Sequence, residues 1–244
     1  VDLARFKEFN RYEVEKMASR AVLFDIDGVI VRTSTISNTI ERQAVKYVQM
    51  RTKVQVKQAA ALNRTLYSTY GHTHTGLKNA YDIRETIQDY NAFVYNRETV
   101  LSCFRELVAR AAEHEDSIET IAALQARGVP VYLFTNAPDV WADAVVQALH
   151  LDIPMERRIT SSCGFGVKTA DLQIYDKVQN HVKNVDDVSN ILYVEDQFRN
   201  LAPILHKPNW VPVLFDPSIA DKTTPVWIGR TQVIHELDEV VRIL

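Results

Sequence analysis

The sequence predicts an α/β protein, with a doubly wound, Rossmann-like parallel sheet interrupted by an all-helical insertion. Three observations lead there. Short apolar runs at Ala21-Val22-Leu23-Phe24, Val131-Tyr132-Leu133-Phe134 and Ile191-Leu192-Tyr193-Val194 lack polar alternation, so they suit strands buried on both faces. Helical periodicities separate the later runs, and strand–helix alternation calls for parallel strands joined by crossovers. Residues 32–114 carry helical periodicity with no strong strand-like run.

Taken in order, residues 3–18 read as an amphipathic helix with Phe6, Phe9, Tyr12 and Val14 at apolar positions. The first strand, 21–24, runs into Asp25-Ile26-Asp27-Gly28. Helices are expected at 36–50 and 54–69, then a polar turn at 71–76, then helices at 83–90 and 98–112. A helix at 118–126 stops at Gly128, which supplies the left-handed conformation of a helix C-terminus. The strand 131–134 ends in Thr135-Asn136, and Pro138 opens a helix to about residue 149. A short strand at 158–160 and a helix at 171–182 follow. The strand 191–194 ends in Glu195-Asp196, and a helix at 199–205 leads to a last strand at 211–215. This division gives an α/β core over 1–31 and 115–244, with a helical insertion over 32–114.

Composition narrows the function. The 244 residues lie near the upper limit for one hydrophobic core, which suits a core with an inserted lobe. A formal net charge of −3 offers no overall field for nucleic acid or an anionic membrane. Two cysteines, Cys103 and Cys163, make no disulfide framework and no Cys-x-x-Cys. No apolar run approaches the roughly 20 residues of a membrane span. Residues 1–20 have no apolar core like a secretory signal's, so a cytoplasmic location is expected.

In a sheet of this kind, ligands bind beyond the carboxyl ends of the strands. Asp25 and Asp27 stand at the first such end, Thr135 and Asn136 at the second, Glu195 and Asp196 at a third. Lys168 lies in a loop between the last two. Each taken alone has an ordinary reading: capping aspartates, a polar turn, a solvated lysine. On adjacent strands, however, Asp25, Asp27, Glu195 and Asp196 surround one hard cation, and oxygen ligands suit Mg²⁺. Lys168 and the Thr135 hydroxyl then face phosphoryl oxygens.

The order hhhhDxDGV, hhhTN, K, hhhED resembles the haloacid dehalogenase superfamily of phosphohydrolases, over residues 21–215. The resemblance implies Asp25 as a nucleophile that forms an aspartyl-phosphate. It implies Asp27 as general acid and then base, with its backbone carbonyl on the metal. Thr135 and Asn136 would hold the transferring phosphoryl group, and Lys168 would neutralise charge between it and Asp25. Asp196 and Glu195 would be metal ligands. A carboxylate attacks an anionic phosphate only where cations cancel their repulsion. A carbon–halogen substrate needs no acid at position 27, so this Asp points to phosphorus.

An insertion after the first motif forms a cap in that superfamily. The segment Leu66-Tyr67-Ser68-Thr69-Tyr70-Gly71-His72-Thr73-His74-Thr75-Gly76-Leu77 resembles the cap of the pyrimidine 5′-nucleotidase-like branch, as does Asp89-Tyr90-Asn91-Ala92-Phe93-Val94-Tyr95. The branch implies a nucleoside monophosphate substrate, with Tyr70 and His72 as substrate-binding candidates. Tyr67 and Tyr70 either stack on a base or pack in the cap. Gly28 and the Lys168-Thr169 pair depart from the branch, which often has Asn or Asp and then Lys-Pro at those places. Another small phosphate ester, such as a sugar phosphate or phosphoglycolate, is the alternative substrate for a phosphatase or a mutase. A non-catalytic binding module on the same fold is the alternative outside enzymology.

Overall fold

The computed structural model describes residues 20–168, 172–219 and 226–244; the helix expected at 3–18 lies outside them. Its strands are β1 (Arg20–Phe24), β2 (Val131–Phe134), β3 (Arg158–Ile159), β4 (Asn190–Glu195), β5 (Trp210–Phe215), β6 (Val226–Ile228) and β7 (Thr231–Ile234). They form one sheet in the order β3-β2-β1-β4-β5-β7-β6. Every pairing is parallel except that of β6 with β7. The chain leaves β1 toward β2 and β3 on one side, then returns to β4 on the other. The β1–β4 boundary is therefore the switch point, where a crevice opens at the carboxyl edge.

The unbroken apolar runs follow from burial on both faces. Val22, Phe24, Val131, Leu133, Leu192 and Val194 face one apolar cluster. The alternate residues Ala21, Leu23, Tyr132, Phe134, Ile191 and Tyr193 face a second one. A strand with solvent on one side would have put polar residues in one of these sets.

The helices are α1 (Ser34–Thr52), α2 (Val56–Tyr70), α3 (Thr73–Tyr81), α4 (Ile87–Val94), α5 (Arg97–Ala109), α6 (Glu115–Ala126), α7 (Asp139–Ala148), α8 (Ile174–Asp186), α9 (Phe198–Leu201) and α10 (Glu239–Ile243). Helices α1–α4 share a third apolar cluster that includes Tyr47, Val48, Leu66, Leu77, Tyr90 and Val94. Helix α5 behaves differently: its Cys103 and Leu107 join the cluster on the sheet. Arg32 forms an ion pair with Asp116, and Thr33 Oγ1 lies 2.9 Å from His114 Nε2. The two chain crossings between the sheet and α1–α5 are thus tied side by side.

Two differences from the sequence reading have clear causes. Residues 71–76, expected as a polar turn, hold a left-handed cap at Gly71 and then the first turns of α3. Gly76 is a packing glycine: a Cβ there would lie 2.7 Å from Leu66 Cβ. Helices α2 and α3 can cross closely only because that side chain is missing. After residue 215, β6, β7 and α10 were not expected, since their runs are too short to stand out against the surrounding polar residues.

Candidate active site

Register places the motifs. Phe24 pairs with Leu133 on one side and Val194 on the other, so the ends of β1, β2 and β4 lie side by side. Asp25 follows β1, its N–H donating to Val194 O at 3.0 Å. The chain then folds back, with Gly28 N donating to Val31 O and Val31 N to Ile26 O, at 2.9 and 2.8 Å. Gly28 has φ +96°, and a Cβ on it would lie 2.3 Å from Asp196 Oδ2. Glycine at position 28 therefore has a steric reason: the loops after β1 and β4 touch here.

Lys168 is the hub. Its ammonium lies 2.9 Å from Asp25 Oδ1 and 2.8 Å from Glu195 Oε2, and donates to Phe134 O at 3.1 Å. Only 1% of it is exposed. Burial opposes its charge, yet the Asp25 and Glu195 carboxylates hold its pKa above the ordinary value. The backbone N–H of Lys168 donates to Asn136 Oδ1 at 2.7 Å, which ties its loop to the end of β2. Asn136 thus supports the lysine through its side-chain oxygen. Thr135 is buried and its Oγ1 accepts from Ala137 N at 3.1 Å, leaving the hydroxyl hydrogen to donate.

The carboxylates outnumber that one ammonium. Oxygens of Asp25, Glu195 and Asp196 all lie within 4.8 Å of one another. Burial raises the Asp25 pKa, and Glu195 adds to the effect. Burial and Glu195 push Asp196 up to about 7. Glu195 is held low despite its burial, chiefly by Lys168, and it also accepts from Tyr193 Oη and from Gln197 N. An all-oxygen donor set with uncompensated negative charge fits a hard divalent cation. The Asp27 side chain stands apart from this trio. It accepts from Trp141 Nε1 at 3.0 Å, and burial raises its pKa to about 6. Sequence reasoning missed Trp141, Tyr193 and Gln197, which hold the charged groups in place.

A cavity of about 410 Å³ opens over this cluster, between the strand ends and helices α1–α4. Asp25, Asp27, Thr135, Asn136 and Lys168 line its floor, and His72 lies on its wall. Glu195 and Asp196 are not among its lining residues. Tyr70 is not brought to it either. As the last residue of α2, Tyr70 lines a separate groove of about 380 Å³ beside Arg199 and Pro203. Tyr67, one helical turn earlier, faces the cavity instead. Possible stacking on a base made both tyrosines candidates, with packing in the cap as the other reading; three residues apart on α2, they line different openings.

Two contacts fasten the helices to the floor. Asn91 Nδ2 donates to Ser161 Oγ at 2.9 Å, and Ser161 N donates to Ala137 O at 3.1 Å, next to Thr135. On the opposite side, Arg199 Nη1 donates to Tyr67 O at 2.8 Å and to Ser68 O at 3.3 Å. Its guanidinium also lies 4.3 Å from the centre of the Tyr67 ring.

Solved structures share this fold. A family IA, variant 3 HAD hydrolase from Entamoeba histolytica superposes with a TM-score of 0.57 at 17% identity, over 90% of this chain and 94% of its own. A HAD phosphatase from Thermococcus onnurineus gives 0.53 at 14% identity, over 92% and 97%. An L-2-haloacid dehalogenase gives 0.51 at 14% identity, over 92% and 98%. Among curated proteins, none matches the sequence. Residues 19–204 match the family model for haloacid dehalogenase-like hydrolases, and the chain belongs to that family.

Proposed function

We propose that this hydrolase is a Mg²⁺-dependent phosphomonoesterase working through an aspartyl-phosphate on Asp25, and that its substrate is a nucleoside 5′-monophosphate, with a pyrimidine preference. One observation carries the reaction class: Asp25 and Asp27 line the same cavity, with Lys168 2.9 Å from Asp25. That arrangement supplies a nucleophile, a separate proton carrier and a cation. The nucleotide assignment rests on the likeness of residues 66–77 and 89–95 to the pyrimidine nucleotidase branch. In this reading residues 32–114 are the cap.

An Asp25 carboxylate oxygen attacks phosphorus as the bond from phosphorus to the ester oxygen breaks. Asp27 gives its proton to the departing alkoxide. A water then attacks the aspartyl-phosphate, Asp27 takes the proton of that water, and the acyl-phosphate P–O bond breaks to free phosphate. Thr135 donates to a phosphoryl oxygen, and Asn136 keeps the Lys168 loop in place. Lys168 offsets charge as it builds between Asp25 and the phosphoryl group. A Mg²⁺ held by Asp25, Asp196, Glu195 and the Asp27 backbone carbonyl would supply the remaining positive charge. Splitting hydrolysis into two displacements lowers each barrier.

The test is a panel of phosphate esters with Mg²⁺, using wild type and Asp25→Asn. Uridine and cytidine monophosphates should be the preferred substrates, with phosphate as product and no turnover by Asp25→Asn. Equal rates on sugar phosphates would remove the nucleotide assignment. Turnover that survives Asp25→Asn would remove the mechanism.

A further inference from the structure

On the cavity side opposite the carboxylates stands a polar wall without a buried charge. Asn63, His72, Thr73 and Tyr90 line it and are 5%, 7%, 3% and 5% exposed. They come from α2, the α2–α3 junction, α3 and α4. The Thr73 hydroxyl donates to Asn63 Oδ1 at 2.9 Å. That bond occupies the amide's oxygen and presents its Nδ2 hydrogens as the available end. His72 meets Tyr90 edge-on, with ring centres 5.2 Å apart, and its Nδ1 has no partner among the described residues. Burial, with a smaller push from His74, lowers the His72 pKa to about 3, so the ring is uncharged at neutral pH. Arg64 and Glu41 also line the cavity, but both are exposed and belong to its rim.

Buried polar groups carry a cost unless they find partners. A wall of this kind costs least when a ligand supplies an acceptor to the amide. We propose that Asn63, oriented by Thr73 and flanked by His72, is the specificity-determining donor for the leaving group. Its partner is an uncharged oxygen of that group. This deepens the phosphomonoesterase reading and rests on it for the placement of the ester. The partner is either a carbonyl of a base or a hydroxyl of a sugar; a second anionic group meets no buried cation on this wall. Charged leaving groups are disfavoured there because an uncharged wall cannot repay their desolvation.

The experiment separates binding from turnover. Uridine 5′-monophosphate, ribose 5-phosphate and phenyl phosphate are titrated by calorimetry into Asp25→Asn protein, with and without Asn63→Ala. Phenyl phosphate has no hydrogen-bonding substituent. The ratio of Kd for the preferred ligand to Kd for phenyl phosphate should rise about tenfold on Asn63→Ala, the worth of one such bond. A rise confined to the uridine ester identifies the carbonyl; a rise for both ribosyl esters identifies the hydroxyl. Asn63→Asp keeps the shape and the acceptor for Thr73 but removes the donor, so it should raise the same ratio. An unchanged ratio in a folded variant, or no binding of any of the three ligands, overturns the proposal. Wild-type turnover of the same esters tests the phosphatase reading apart from this one. No hydrolysis alongside the expected Kd ratios would sink that reading while leaving the donor role of Asn63 in place.

Discussion

Trp141 donates its indole N–H to Asp27 Oδ1 at 3.0 Å, joining the helix after β2 to the loop after β1. Trp141 is fully buried, so the bond fixes the direction of the Asp27 carboxylate. Trp141→Phe keeps most of the apolar volume and removes the donor. We expect kcat to fall about tenfold on an alkyl phosphate and less on an aryl phosphate, whose leaving group needs a proton less. Steady-state rates on the two esters check this; an equal fall on both would count against a positioning role.

Lys168 compensates two buried carboxylates at once, and removing it strands both. Lys168→Met should abolish turnover and lower stability by about 3–5 kcal/mol, as for a broken buried ion pair. Adding Asp25→Asn to that variant should restore part of the loss, because one stranded charge disappears. Urea unfolding of the two variants measures the difference.

Gly28 is the contact point of the loops after β1 and β4. In Gly28→Ala the new methyl group must displace the Asp196 carboxylate, and φ +96° is strained for any other residue. The expected outcome is a loss of about 1–3 kcal/mol in stability, with weakened binding of Mg²⁺. Calorimetric titration of Mg²⁺ and thermal unfolding read the two effects separately.

Arg199 reaches from the segment after Asp196 to the last carbonyls of α2, where the helix dipole favours a cation. Arg199→Ala should speed amide exchange in the last turn of α2 and raise KM about tenfold, with a much smaller change in kcat. A fall in kcat with no change in KM or exchange would argue against a fastening role.

His72 links stability to pH. Burial keeps its folded-state pKa near 3, whereas a histidine in the unfolded chain takes a proton near 6.5. Below about 6.5 the unfolded state binds the extra proton, so stability falls as pH is lowered toward 3. The slope attributable to one such group is at most about 1.4 kcal/mol per pH unit. Urea unfolding at pH 7.5 and pH 5 should show a smaller loss for His72→Phe than for wild type.

The residues gathered at the strand ends were legible in the sequence because their signals are local. Asp25, Asp27, Thr135, Asn136, Glu195 and Asp196 each follow an apolar run, and such runs mark strands buried on both faces. The helices over the floor were legible as helices, but their contacts were not. Tyr67 and Tyr70 share one helix, and only one of them reaches the cavity. His72 and Gly76 looked like a polar turn because glycine reads as punctuation, whereas here it allows two helices to cross.

By itself, then, the sequence determined which apolar runs are the central strands, the acids that follow two of them, and the helices between the first two strands. Those properties follow from burial and periodicity within a few neighbouring residues. Tertiary structure alone decided that Trp141 holds Asp27, that Asn91 meets Ser161, and that Thr73 turns Asn63 toward the cavity. Such pairs join segments on different elements, and their geometry comes from how helices cross and from a strand register that no short stretch of sequence encodes.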